Sequence, residues 1–182
     1  MRIDHNVPLS KDDGVTITDN TRLRAIVPTT KFLLNKGANV ILCSHFGRPK
    51  GKIVEMGKNG RLDPVRGCHQ GGRLRRAGGG GGGISLGGGG GQRVLLLENT
   101  RFHVGETKND MDLAARLRRL ADYFVMDAFG TALCAHSSMA GVALYVKLSI
   151  AGFLLNKELK YLKGAVDNPV RPLCAIIGGA KV

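Results

Sequence analysis

The chain has 182 residues, 43% of them hydrophobic and 5% aromatic, with no tryptophan and a formal net charge of +13. That length suits one domain plus a short extension around an aliphatic core, and the charge calls for anionic partners, either nucleic acid or small phosphates. Bilayer spans need roughly 18 uninterrupted apolar residues and secretory signals an apolar core, and neither is found, so a soluble intracellular protein is expected, with Cys43, Cys68, Cys134 and Cys174, which form no CxxC pair, as reduced and mostly buried thiols and no metal ligands.

In chain order, Asp19-Asn20-Thr21 supplies capping chemistry for a helix over Arg22–Asn35, where Leu23, Ile26, Val27, Phe32, Leu33 and Leu34 recur at helical spacing. Pro28 should kink this helix or make it restart, and Gly37 should stop it. A strand follows over Asn39–Cys43. After a glycine-rich segment come a strand over Val94–Leu97, a helix capped by Asn109 or Asp110 and running through Asp122, and a strand over Tyr123–Met126. A helix over Phe153–Val166 precedes Asn168-Pro169 and a last strand over Leu173–Ile177. Strands alternating with helices predict an α/β fold, a Rossmann-like parallel sheet with helices on both faces.

The segment 51–92 interrupts that order. It holds two runs of pure glycine, Gly78–Gly83 and Gly87–Gly91, and should be disordered, because glycine buries nothing and loses the most freedom on folding. Between Lys50 and Arg93 nine basic residues face two acidic ones, more than half of the net charge. A flexible insert is favoured over an Arg/Gly-rich nucleic-acid segment, since no aromatic residues are interleaved to stack on bases.

The chemistry lies at the strand ends. Ile3 is followed by Asp4 and Asn6, Leu42 by Ser44, His45 and Arg48, Leu97 by Glu98, Asn99 and Arg101, and Met126 by Asp127, Gly130 and Thr131. Ile177 is followed by Gly178, Gly179 and Lys181. In a parallel sheet these ends share one edge, and ligands bind in the crevice beyond it. Asp4, Asn6, His45, Arg48 and Arg101 would then share a rim that Arg22 could join from its helix. Guanidiniums with an imidazole suit a dense anion, a phosphate plus a carboxylate, because the arginine fork bonds two oxygens at once. Asp4 could orient an arginine or accept from a substrate hydroxyl. The glycine turn and lysine of "IIGGAKV" suit nucleotide phosphates, although the segment does not match the P-loop pattern.

The successive stretches "RIDHNVPL", "TDNTRLRAIVPT", "VILCSHFGRPKG", "VLLLENTRFH", "DAFGTALCAHSSM", "AGFLLNKELKYL" and "IIGGAKV" resemble, in order, the signatures of phosphoglycerate kinase. The resemblance implies an N-terminal domain over 1–152, an interdomain helix and linker over 153–170, and the start of a nucleotide-binding domain over 171–182. It implies reversible phosphoryl transfer between 1,3-bisphosphoglycerate and ADP, giving 3-phosphoglycerate and ATP with Mg²⁺. Asp4, Asn6, Arg22, His45, Arg48 and Arg101 would bind phosphoglycerate, Arg22 would steady the moving phosphoryl group, and Gly178, Gly179 and Lys181 would begin the nucleotide side.

Some positions depart from the family pattern. "GTAHRAH" reads "GTALCAH" here, so Leu133 and Cys134 replace a His-Arg pair whose arginine contacts the acid substrate. His5 replaces a phenylalanine, Met126 an asparagine, and the glycine-rich segment stands in place of two helices and a strand. The chain ends at Val182 before a second nucleotide lysine and the Mg²⁺-ADP pocket, so it is expected to be inactive alone, since catalysis needs both substrates across a closing hinge. A monomer in the cytoplasm, or alternatively the chloroplast, is implied, with no membrane or nucleic-acid partner. The competing readings are a non-enzymatic Arg/Gly-rich RNA-binding protein and a product without a stable fold.

Overall fold

The computed structural model describes residues 1–14, 16–53, 94–174 and 176. Five short strands among them run parallel: β1 (Arg2–Ile3), β2 (Val40–Leu42), β3 (Val94–Leu96), β4 (Phe124–Asp127) and β5 (Ser149–Ala151). β4 lies between β1 and β5, while β2 pairs with β3. A parallel bridge from Arg2 to Cys43 joins the two groups, with Ile3 N donating to Cys43 O and Cys43 N to Met1 O at 3.0 Å each. The resulting order is β3–β2–β1–β4–β5. Chain travel across the sheet reverses between β1 and β4, the point where open α/β sheets bind ligands beyond their carboxyl ends.

Alternation along β2 shows how the sheet is covered. Val40 and Leu42 pack with Met1, Ile3 and Val125 and with Ile26 of helix α1 (Thr21–Asn35). Ile41 and Cys43 between them line an apolar cavity of about 40 Å³, facing Leu117 of helix α2 (Met111–Arg118) and Val142 of helix α3 (Val142–Tyr145). Helices therefore lie on both faces, as the sequence pattern predicts. β3 is only half-buried although apolar throughout, because β2 is its sole partner among the described residues.

Helix α1 ends where Gly37 adopts φ +80°. Its N–H bonds Leu34 O, and that of Ala38 bonds Leu33 O, which satisfies the last carbonyls in a Schellman arrangement. Of the kink or restart expected at Pro28, the restart is absent: α1 runs through it as one element. Pro28 is exposed, so the carbonyl of Arg24, deprived of its N–H partner, can turn to water. At the other end Asp19 rather than Asn20 supplies the side-chain bonds, accepting from Thr21 N at 2.8 Å and Thr21 Oγ1 at 2.6 Å.

Helix α2 stops at Arg118 instead of Asp122. Its last turn tightens into i→i+3 bonds, and Arg118 Nη1 donates to Ala121 O at 2.8 Å. Asp110 caps it by accepting from Leu113 N at 2.8 Å. Helix α4 (Phe153–Asp167) matches its expected span within one residue. The exposed strand β5 was not anticipated, and it exists through its register with β4, Phe124↔Ser149 to Met126↔Ala151. Of the expected strand Leu173–Ile177, Leu173, Cys174 and Ile176 are described and lie in no strand. The insert beyond Ile53 lies outside the described residues. The thiols also need correcting: Cys43 is buried, but Cys134 and Cys174 are free and exposed.

Candidate functional site

Strand ends and the turns after them lock to one another at the carboxyl edge. Asp4, buried just after β1, accepts from Asn6 N at 3.0 Å through Oδ1 and from Arg22 Nη1 at 2.5 Å through Oδ2. The pair links the end of β1 to the first turn of α1 and holds the half-exposed Arg22 at the rim. Asn6 Oδ1 accepts from Gly47 N at 3.0 Å, tying the first turn to the one after β2. Gly47 has φ +59°, and its carbonyl accepts from Arg101 Nη1 at 2.7 Å.

Asn99 is the clamp between the second and third turns. Its Oδ1 accepts from Phe46 N and Arg101 N, both at 3.1 Å, and its Nδ2 donates to Phe46 O at 2.7 Å. Thr100 N donates to Ser44 O at 3.0 Å, and Ser44 Oγ accepts from His5 N at 2.9 Å. Asp4, Asn6, Arg22 and Arg101 are thus brought together by bonds between the turns, and His45 stands in the second of those turns. Arg48 is exposed and joins them through its field: with burial and Arg2, it lowers the pKa of Arg101 from the usual guanidinium value.

Two contributors escape the sequence reading. Arg2 is fully buried, with Nη1 donating to Ile3 O at 2.8 Å and Cys43 O at 3.3 Å, and Nη2 lies 3.0 Å from His45 Nδ1. The available signal was a charge inside a buried strand, which must find partners. His136 is the second, since its charge interacts with Arg101 and Arg2.

The electrostatics are one-sided. Burial, then Arg2 and Arg101, push His45 down to about 4, with Asp4 opposing. Burial also lowers His136, helped by Arg101 and Arg2 and opposed by Glu106. Among the described residues Arg2, Arg48 and Arg101 have no ion-pair partner, because Asp4 is engaged by Arg22. Buried Glu106 accepts from Ser138 N at 3.0 Å and Ser138 Oγ at 2.5 Å. Such a group of cations, short of carboxylates and ringed by fixed donors, can take up a compact multivalent anion.

At the far side of the edge, buried Asp127 accepts from Leu154 N at 2.9 Å and Leu155 N at 3.2 Å, and Thr29 Oγ1 accepts from Phe153 N at 3.0 Å. The rim and the first turn of α4 thereby share β4. Gly178, Gly179 and Lys181 lie outside the described residues.

A model of the phosphoglycerate kinase family matches residues 1–69 and 88–182. The phosphoglycerate kinase of Rippkaea orientalis is 49% identical over 193 residues, covering 100% of this chain and 46% of the relative. That of Synechococcus elongatus is 50% identical over 188 residues with the same shares. Phosphoglycerate kinase 3, cytosolic, of Arabidopsis thaliana is 48% identical over 185 residues and is covered to 45%. Among solved structures, phosphoglycerate kinase from Coxiella burnetii superposes with a TM-score of 0.76 at 37% identity, over 94% of this chain and 42% of that one. The chain spans about half the length of the curated relatives it matches.

Proposed function

Because the chain belongs to the phosphoglycerate kinase family, we propose that it carries the 3-phosphoglycerate-binding half of that enzyme's site. The reaction is reversible phosphoryl transfer between 1,3-bisphosphoglycerate and ADP, giving 3-phosphoglycerate and ATP. The observation that carries this reading is the rim of interlocked turns, where Asp4, Asn6, His45 and Arg101 are fixed by hydrogen bonds across three strand ends and Arg22 is held by Asp4.

Each residue has a role that its surroundings permit. Arg101 and Arg48 bind the substrate's phosphate and carboxylate, and the unpartnered positive field draws the anion in. His45 is neutral at physiological pH and donates a hydrogen bond. Asn6 and Asp4 order the turns, and Asp4 aims Arg22, which steadies charge on the phosphoryl group in flight. Cys134 lies near enough to Arg101 to act on its charge, so the arginine missing relative to the family pattern is missing from the rim itself.

The nucleotide side is assigned to Gly178, Gly179 and Lys181. Magnesium bound with ADP or ATP would neutralise the phosphates there, and among the described residues no cluster of three or more His, Cys, Asp or Glu could hold a metal ion. The remaining contacts belong to the portion of the relatives beyond this chain, and α4, with Leu159, Leu162 and Val166 exposed, is the helix that leads toward it. A monomer acting in the cytoplasm is proposed; no helix among the described residues is long and apolar enough to cross a membrane. Nothing in the fold, the rim or the relatives supports the RNA-binding alternative.

Calorimetric titration of the full chain with 3-phosphoglycerate tests the reading. Saturable binding that is lost in Arg101→Ala is expected. No saturable binding by a cooperatively folded chain would overturn it. A coupled assay separates binding from turnover, and turnover by this chain alone is expected to be absent.

A further inference from the structure

We infer that Arg2 is a positioning residue that holds His45 as a neutral imidazole with its proton on Nε2, so that Nε2 is the donor offered to the anion. The substrate half of this inference rests on the proposed phosphoglycerate site. The tautomer half rests on geometry alone.

A guanidinium has five N–H donors and no acceptor. With Arg2 Nη2 at 3.0 Å, His45 Nδ1 can only be the acceptor, so it carries a lone pair and the ring proton sits on Nε2. An imidazolium would set N–H against N–H. Nor can Arg2 swing aside: it is fully buried, and Nη1 is bound to Ile3 O and Cys43 O, the carbonyls at the joined ends of β1 and β2. Its orientation therefore comes from the sheet, and it passes that orientation to His45. The other charged groups acting on His45 are Arg101 and His136, which also disfavour the imidazolium, and Asp4, which favours it. Arg2 is the group among them that selects a nitrogen as well as a charge state.

The test uses the full chain labelled with ¹⁵N in its histidines, with the His45 signals assigned by their loss in His45→Gln. In the unliganded chain at neutral pH, Nδ1 should show the shift of an unprotonated nitrogen and Nε2 that of a protonated one. Arg2→Met should mix the two tautomers, move the His45 titration upward toward that of a free imidazole, and weaken 3-phosphoglycerate binding about tenfold. Arg2→Lys, which can still donate to Nδ1, should restore the single tautomer. An Nδ1–H tautomer or an imidazolium in the unsubstituted chain sinks the inference even if Arg2→Met fails to fold, and so does an unchanged tautomer in a folded Arg2→Met. Because the tautomer is read without ligand, absence of 3-phosphoglycerate binding would overturn the substrate half alone.

Discussion

Gly152→Ala should destabilise the chain through a single carboxylate. Gly152 has φ −71°, a conformation open to alanine, so no backbone strain is involved. The obstacle is Asp127: an added methyl would fall 2.6 Å from its Cβ and closer still to its carboxylate. Asp127 is fully buried at the end of β4 and cannot rotate away without releasing Leu154 N and Leu155 N. Hydrogen bonds to a charged group contribute about 1.5–3 kcal/mol each, and the carboxylate also faces the positive end of a 15-residue helix. Partial loss of both bonds should cost about 3 kcal/mol, or a fall in Tm of about 6–12 °C for a chain of this size. Urea denaturation of Gly152→Ala, Asp127→Ala and the double variant checks it. The two losses should be less than additive, because removing the carboxylate removes the nearest contacts of the added methyl and leaves only the one to Cβ. A loss below about 1 kcal/mol for Gly152→Ala, or full additivity, would refute the steric reasoning.

Three other outcomes are expected. Cys134→Arg, which restores a cation beside Arg101, should tighten 3-phosphoglycerate binding about ten- to a hundredfold by calorimetry, the worth of one charge-assisted bond. Gly37→Ala, at φ +80° with open space around the added methyl, should lower stability by about 1 kcal/mol from backbone strain alone, with binding unchanged. His45 titrates near 4 in the folded chain against 6.5 when unfolded, so the unfolded state takes up its proton first as pH falls. Stability should therefore be full above about pH 6.5 and decline toward pH 4, by about 2 kcal/mol after solvent screening, and His45→Gln should remove most of that slope and leave the part due to His136.

What the sequence showed and what it hid divide along chain separation. The strands near Val40, Val94 and Phe124 are apolar runs with turn residues after them, and their carboxyl-end polar groups follow from the parallel order, so Asp4, Asn6, His45 and Arg101 could be placed on one edge before any coordinates. Arg2 could not, because its role depends on the register that sets it beside Cys43, 41 residues away. Nothing around Glu106 in the sequence, where His103, Lys108 and Asp110 are its neighbours, marks it as buried, yet it is fully buried and bonded to Ser138, 32 residues on. Local pattern also overreached. Leu120 extends the apolar stripe of α2, but the capping of Ala121 O by Arg118 ends the helix first. Residue type makes the cysteines mostly buried as a set, whereas the place of Cys134 in the turns after β4 leaves it exposed.

The distribution of carboxylates explains why the rim is ready for an anion and why Cys134 sits in it without harm to the fold. Three buried acids lie at or under this edge, and each is taken up by another group: Asp4 by Arg22, Glu106 by Ser138, and Asp127 by the first turn of α4. Among the described residues none of them forms an ion pair with Arg2, Arg48 or Arg101, and burial with the charges of Arg2 and Arg48 lowers the Arg101 pKa against the opposing pull of Glu106. A cluster held this way stores unfavourable energy that a multivalent anion relieves, so the ligand contributes to the stability of the site that binds it. A guanidinium at position 134 would add a further positive charge to Arg101's surroundings. Cys134→Arg should therefore lower the stability of the unliganded chain while it strengthens the complex. Opposite signs for the two effects would separate a missing ligand from a lost packing contact, because a packing loss would move both in the same direction.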